Sequence, residues 1–110
     1  MLIRSKAPLR LGLAGGGTDV APYSDIYGGA ILNATISMYA YATIKPRNDG
    51  KIILKSLDKK EEYNLKSVIS LKVDGNLDLH KGAYNRIVKD FSKKALSFEL
   101  STSLAISAIV

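Results

Sequence analysis

The fold of this chain is decided by one stretch, Lys6-Ala7-Pro8-Leu9-Arg10-Leu11-Gly12-Leu13-Ala14-Gly15-Gly16-Gly17-Thr18-Asp19. Its first half alternates apolar with polar side chains, which predicts a β-strand. Three consecutive glycines follow. They predict a turn whose backbone bends where side chains would clash, or lets a ligand come close. Arg10 on the strand and Asp19 after the turn therefore place a cation and a carboxylate at the two ends of one turn.

Arg10 and Asp19 suit a polar ligand. A guanidinium binds phosphate or sugar oxygens, and a carboxylate accepts hydrogen bonds from hydroxyl groups. The residues also allow a purely structural interpretation, in which Arg10 is a surface residue and Asp19 only caps the next helix. A glycine run alone is a weak signal, so these residues by themselves leave both interpretations open.

The bulk composition indicates one small globular domain. The chain has 110 residues, of which 46% are hydrophobic and 24% charged, and no apolar run approaches the roughly 20 residues that span a bilayer. It contains no cysteine and one histidine, so neither disulfides nor a His/Cys metal site is expected. The start lacks the apolar core of a signal peptide. We therefore expect a cytoplasmic protein with no membrane partner.

The chain carries a net charge of +6, and this excess is spread along the sequence. Residues 1–50 hold five basic and three acidic side chains, and residues 51–110 hold eleven and seven. This distribution is typical of a lysine-rich solvated surface, or of a protein that takes a small anionic substrate. Nucleic-acid binding would require a basic stripe interleaved with aromatic residues, and it is not expected.

The rest of the chain predicts an α+β fold with helices on one face of a mainly antiparallel sheet. A short helix is expected over 21–27, a long strand that bends or splits midway over 30–45, and an exposed antiparallel hairpin from strands 51–56 and 61–65. A helix then begins at Asp78 as its N-cap. A strand at 97–102 and an apolar segment at 103–110, which could begin a buried helix, complete the prediction.

The helix that begins at Asp78 carries an apolar stripe at helical spacing, which predicts a core-facing surface. The stripe consists of Ala83, Tyr84, Ile87, Val88 and Phe91.

The opening stretch resembles the first signature of the GHMP kinases, a superfamily that phosphorylates galactose, homoserine, mevalonate and related small molecules. Residues 21–24 and 28–36 resemble its sugar branch. Within that branch they are most similar to heptose-phosphate kinases, with fucokinase-type domains next. Residues 81–87 also resemble this branch. The resemblance extends over nearly the whole chain and is most specific in residues 4–36.

The resemblance implies an ATP- and Mg²⁺-dependent kinase acting on a sugar or sugar phosphate, in particular a heptose 7-phosphate. It implies an N-terminal domain similar to the second domain of ribosomal protein S5. Arg10 would be the catalytic residue beside the transferred phosphoryl group. The substrate-binding residues that it implies are Arg10, Gly16, Gly17, Thr18, Asp19 and Tyr23. The suggested nucleotide contacts are Asn33, Lys81 and Tyr84, for which core or surface roles are alternatives, and no metal-binding residue is implied.

The sequence departs from the GHMP pattern at the ATP side. These kinases hold ATP phosphates on a loop of the Pro-Gly-Gly-Leu-Gly-Ser-Ser type that opens a helix, and this sequence contains no such loop. Its place would be between Thr102 and Ser103. We therefore expect residues 1–110 to be a partial N-terminal kinase domain, completed by a C-terminal domain or a second copy. The alternatives are an inactive truncated product and a non-catalytic module that binds sugar phosphates.

Overall fold

The computed structural model describes residues 1–106, with side chains described through Leu104. Within these residues the chain forms strands, α-helices and one π-helical turn. In chain order the elements are β1 (Ile3–Ala14), α1 (Tyr23–Tyr27), β2 (Leu32–Pro46), β3 (Lys51–Ser56), β4 (Glu61–Lys66), α2 (Asp78–Ile87), the π turn (Val88–Ser92) and β5 (Phe98–Ile106). None of the helices in this described part is long and apolar enough to cross a membrane.

The strands form a mixed sheet in the order β1-β2-β5-β3-β4. β3 and β4 pair antiparallel, with Leu54 opposite Tyr63. β3 and β5 pair parallel, with Leu54 beside Leu100. Parallel neighbours require a long crossover, and here the chain between β3 and β5 contains β4 and α2. The predicted α+β class is confirmed, and the parallel pair is an addition that the sequence analysis did not predict.

The chain divides into two compact units. The first contains Met1–Ser5 and Tyr41–Leu104, and the second is built on Lys6–Ala40. The first unit holds the apolar core, and the second holds the glycine turn.

The core of the first unit is organised around β3. Ile52 and Leu54 have no exposed surface and Val88 is 1% exposed; these side chains cluster with Leu71, Leu77 and Tyr84. The hydroxyl of Tyr84 donates a hydrogen bond to the carbonyl of Val68 at 2.6 Å and accepts one from the amide of Leu96 at 3.1 Å. Burying one aliphatic side chain of this size contributes about 1.5–3 kcal/mol, so β3 and α2 are held mainly by apolar packing.

The prediction of an exposed hairpin is wrong for β3. β5 pairs with the edge of β3 that is opposite β4, so β3 is an interior strand with both edges hydrogen bonded. The continuous apolar run 52–54 is typical of a strand that is covered on both faces. The turn between β3 and β4 lies where it was predicted, with Lys60 in the left-handed region at φ 54°.

Two predictions for α2 are wrong. The N-cap residue is Leu77 in a left-handed conformation, and the Asp78 carboxylate instead accepts hydrogen bonds from the amides of Asp74 and Gly75, each at 3.0 Å. Of the predicted core stripe, Phe91 is 80% exposed and Ile87 is 49% exposed. The helix becomes a π turn at Val88. Because a π turn holds more residues than an α turn, Phe91 rotates off the buried face.

Two strands are longer than the sequence predicts. β2 runs uninterrupted for 15 residues, so the predicted split is wrong; no glycine or proline interrupts its alternation before Pro46. β5 continues through Ser103 to Ile106, so these residues extend a strand and do not begin a helix. The remaining residues of that predicted helix, 107–110, lie outside the described residues.

Candidate functional site

The glycine turn after β1 has the conformation that its sequence predicts. Gly15 and Gly17 have φ values of +80° and +87°, a region that residues with a Cβ rarely adopt. The amide of Thr18 donates a hydrogen bond to the carbonyl of Gly15 at 3.1 Å, which closes the turn.

The turn lies against the residues that precede β2. A Cβ on Gly15 would be 1.9 Å from the carbonyl oxygen of Ala30, and a Cβ on Gly29 would be 2.3 Å from the carbonyl oxygen of Thr18. At both positions the close approach is between two segments of the chain itself. A Cβ on Gly16 or Gly17 would meet nothing within 4 Å, so the outer side of the turn is open to a ligand.

The side chain of Thr18 links these two segments. Its hydroxyl is 2.7 Å from the carbonyl oxygen of Gly15 and 3.1 Å from that of Ala30. The amide of Ala30 donates a hydrogen bond to the same hydroxyl at 3.1 Å. Thr18 is therefore hydrogen bonded both to the glycine turn, at Gly15, and to the segment before β2, at Ala30.

A cavity of about 390 Å³ opens beside the turn. It is lined by Thr18, Tyr23, Tyr27, Gly28, Gly29 and Ala30. The rings of Tyr23 and Tyr27 are 5.1 Å apart, because residues four apart share one face of a helix. The two tyrosines are 48% and 74% exposed. The cavity is therefore lined by two tyrosine side chains and by the polar backbone of residues 28–30.

Arg10 and Asp19 are both exposed side chains of this second unit. Within the part of the chain that the structure describes, neither belongs to an ion pair. Asp19 begins next to Thr18, and its Cα would lie 3.1 Å from a Cβ on Gly29. Both charged groups are therefore free to meet an anionic or hydroxylated ligand.

Two of the predicted nucleotide contacts lie in the first unit and have partners there. Lys81 is 2% exposed, and its ammonium group lies 2.5 Å from the carboxylate of Asp74. That ion pair, with its hydrogen bond, lowers the pKa of Asp74. Tyr84 is buried in the core as described above. Asn33 is exposed on β2, in the second unit. Nucleotide contact by these three residues stays a prediction.

The sequence analysis missed a polar contact in the first unit. Nε2 of His80 lies 2.9 Å from Oγ1 of Thr102, which in turn lies 3.4 Å from the carbonyl oxygen of Lys55. Burial lowers the pKa of His80, and the charge of Lys59 adds to the effect. The contact depends on the parallel pairing of β3 and β5, which local patterns do not reveal.

The fold is shared with sugar kinases. A crystal structure of a D-glycero-D-manno-heptose 1-phosphate kinase from Bacteroides thetaiotaomicron matches 98% of this chain with a TM-score of 0.87 and 51% identity, over 35% of that protein. A Campylobacter jejuni structure described as a sugar kinase matches 92% of this chain with a TM-score of 0.78 and 55% identity, over 32% of that protein.

Curated relatives give the more particular comparison. The D-glycero-alpha-D-manno-heptose 7-phosphate kinase of Campylobacter jejuni is 56% identical over 100 residues, which is 91% of this chain and 30% of the relative. The L-fucokinase/L-fucose-1-P guanylyltransferase of Bacteroides fragilis is 34% identical over 61 residues, 52% of this chain and 6% of the relative. No family model matches the chain. The predicted resemblance to heptose-phosphate kinases is confirmed, and the chain spans less than a third of these curated relatives.

Proposed function

We propose that this chain supplies the sugar-binding side of an ATP-dependent GHMP-type kinase that phosphorylates a hydroxyl group of heptose 7-phosphate. The observation that carries the proposal is the 56% identity over 100 residues to a kinase named for that substrate. The structural relative named for a heptose 1-phosphate supports the same class of acceptor. The finer fold assignment, similar to the second domain of ribosomal protein S5, and a cytoplasmic location belong to this proposal.

Residues in and around the glycine turn have different roles in the proposed binding of the sugar. Asp19 accepts hydrogen bonds from sugar hydroxyls and orients the acceptor, and Arg10 stabilises phosphate charge during transfer. Gly16 and Gly17 leave room for the sugar, because their outer side is open, and Tyr23 borders it. Phosphoryl transfer depends on positioned cations and an aligned hydroxyl group more than on covalent chemistry of the protein, and the exposed Arg10 and Asp19 suit that requirement.

The loop that binds ATP phosphates in the GHMP pattern is not among these residues. The described residues contain no group of three or more His, Asp or Glu side chains that could hold a metal ion. ATP and Mg²⁺ therefore enter the proposal from the kinase class alone, as do nucleotide contacts by Asn33, Lys81 and Tyr84.

The second candidate function is a non-catalytic module that binds sugar phosphates. One observation favours it: β5 passes from Thr102 to Ser103 as a continuous strand, at the place where the kinase pattern would insert its loop. Both candidates require that the chain bind the sugar phosphate.

The second unit leaves apolar side chains uncovered. Leu11 and Leu13 of β1 are 54% and 60% exposed, and Ile26 is 67% exposed. Exposed apolar patches favour association, so the proposal includes a cover for them, either a further domain or a second copy of the chain. Sedimentation analysis tests this point, since a monodisperse monomer of the 110-residue chain would contradict it.

Calorimetry on the 110-residue chain tests the proposed function. We expect saturable binding of D-glycero-D-manno-heptose 7-phosphate, and weaker binding of the heptose 1-phosphate and of L-fucose. Failure to bind any sugar phosphate, in a chain that melts cooperatively, would refute both candidates.

A graft separates the kinase from the module. This chain would replace the matching residues of the Campylobacter jejuni heptose 7-phosphate kinase, and ATP-dependent phosphorylation would be measured. Retained turnover supports the kinase. A folded graft that binds the sugar phosphate without turnover supports the module.

A further inference from the structure

We propose that Thr18 is a positioning residue of the sugar site. Its hydroxyl group fastens the glycine turn, which carries Asp19, to the backbone of Ala30, and it does not contact the sugar. This inference rests on the proposed function.

The hydrogen-bonding capacity of the hydroxyl group is largely used by the backbone. A threonine hydroxyl has one proton to donate and two lone pairs to accept with. The hydroxyl oxygen lies 2.7 Å from the carbonyl oxygen of Gly15 and 3.1 Å from that of Ala30, so its proton can be donated to either, and one lone pair accepts from the amide of Ala30 at 3.1 Å. A sugar hydroxyl would find no proton free and one lone pair at most, so it could donate to Thr18 but could not accept a hydrogen bond from Thr18 unless an existing bond broke.

Two of these contacts, both with Ala30, join segments that are 12 residues apart in sequence. The same segments approach so closely that a Cβ at Gly15 or Gly29 would collide with backbone of the other segment. Because the residues at the closest approach are glycines, apolar side-chain packing contributes little to holding the two segments together. The Thr18 hydroxyl is the side-chain group that bonds across this contact, and it therefore sets the spacing of the two segments.

Asp19 inherits its position from this arrangement. It follows Thr18 directly, and its Cα lies against the backbone of Gly29. Its carboxylate is exposed and belongs to no ion pair within the described residues, so the backbone of the turn sets the point from which it reaches a ligand. Small displacements of a positioning group reduce binding and rate strongly, and a loosened turn would spread the Asp19 carboxylate over several orientations.

The test compares Thr18→Val, which keeps the shape and loses the hydroxyl group, with Thr18→Ser, which keeps the hydroxyl group. Amide hydrogen exchange of Ala30 is measured by NMR, and affinity for heptose 7-phosphate by calorimetry. We expect Thr18→Val to speed exchange at Ala30 at least tenfold and to weaken sugar binding about tenfold, a change of about 1.4 kcal/mol. Thr18→Ser should stay within about twofold of the wild type in both measurements.

Each contrary outcome has a definite meaning. Unchanged exchange at Ala30 in Thr18→Val would overturn the proposal, and if sugar affinity still fell, Thr18 would be a direct sugar contact. Equal loss of affinity in Thr18→Ser and Thr18→Val would also overturn it, because the hydroxyl group would not be the cause. If the wild-type chain bound no sugar phosphate, the proposed function would fail and Thr18 could not position a sugar site; the exchange measurement would still decide whether it fastens the turn.

Discussion

Gly15→Ala is expected to be the most damaging alanine substitution in the glycine turn. The new Cβ would lie 1.9 Å from the carbonyl oxygen of Ala30, about 1.5 Å short of the 3.4 Å at which ordinary contact begins. The atom that it meets is backbone, so no side-chain rotation relieves the overlap. Either the turn or the segment before β2 must move.

Substitutions at the neighbouring glycines separate the cost of the left-handed backbone from the cost of the steric overlap with Ala30. Gly17→Ala places a Cβ in open space on a backbone with φ +87°, so it tests the conformational cost alone. Gly16→Ala places a Cβ where φ is not positive and nothing lies within 4 Å, so it tests neither cost. The left-handed conformation costs about 1–2 kcal/mol per residue with a Cβ, and forcing extra atoms into a packed contact costs about 1–3 kcal/mol. The reduced entropy of the unfolded chain returns about 0.4–1 kcal/mol.

The free energy of unfolding should therefore follow a fixed order. We expect Gly15→Ala to lose about 2–4 kcal/mol, Gly17→Ala to lose about 1 kcal/mol, and Gly16→Ala to gain about 0.4–1 kcal/mol. Urea unfolding followed by circular dichroism measures all three under one condition. Equal midpoints for Gly15→Ala and Gly16→Ala would refute the close contact between the turn and Ala30.

Three further predictions concern the first unit. Tyr84→Phe should lower the free energy of unfolding by about 1–3 kcal/mol, because it leaves the partly buried amide of Leu96 without its acceptor. The exposed Tyr23→Phe serves as the control and should change this free energy by less than about 0.5 kcal/mol. Equal urea midpoints for the two variants would contradict this prediction. Leu54→Ala should cost about 2–5 kcal/mol, and a loss below about 1 kcal/mol would be inconsistent with an interior β3. Burial lowers the pKa of His80 from 6.5. The unfolded chain therefore binds the proton more readily, and stability should fall as the pH drops through 6.5. His80→Gln should make the melting temperature less dependent on pH over that range. An unchanged pH dependence would contradict the lowered pKa of His80.

Local sequence predicts the elements of this chain well where one pattern dominates. The alternation in β1 and the glycines around α1 each predict an element that the structure contains. These elements depend on backbone preferences and side-chain periodicity, both of which are local.

The errors arise where distant residues decide the outcome. β3 is interior because β5 pairs with it from more than 40 residues away, and a hairpin pattern carries no information about that partner. Ser103–Ile106 could extend a strand or begin a helix, since short apolar runs are ambiguous, and pairing within the sheet decided for the strand. Phe91 left the core because one π turn changed the angular spacing of the stripe.

The candidate site shows the same division. The residues around Asp19 could be identified from their order along the chain and from the family resemblance. The contact of Gly15 with Ala30 could not, because it joins two turns through tertiary structure. Gly29 is a sequence signal for this close approach, since a glycine without a turn requirement often marks a place where two backbone segments meet.

The proposed function depends on the Asp19 carboxylate, through which the glycine turn would hold the hydroxyl groups of a sugar phosphate. The most direct measurement is the dissociation constant of heptose 7-phosphate for Asp19→Asn and for Asp25→Asn, a matched loss of one charge on the exposed surface of α1. The account predicts that Asp19→Asn weakens binding at least tenfold, about 1.4 kcal/mol or more, and that Asp25→Asn stays within about twofold of the wild type. Equal dissociation constants for Asp19→Asn and the wild type would contradict it.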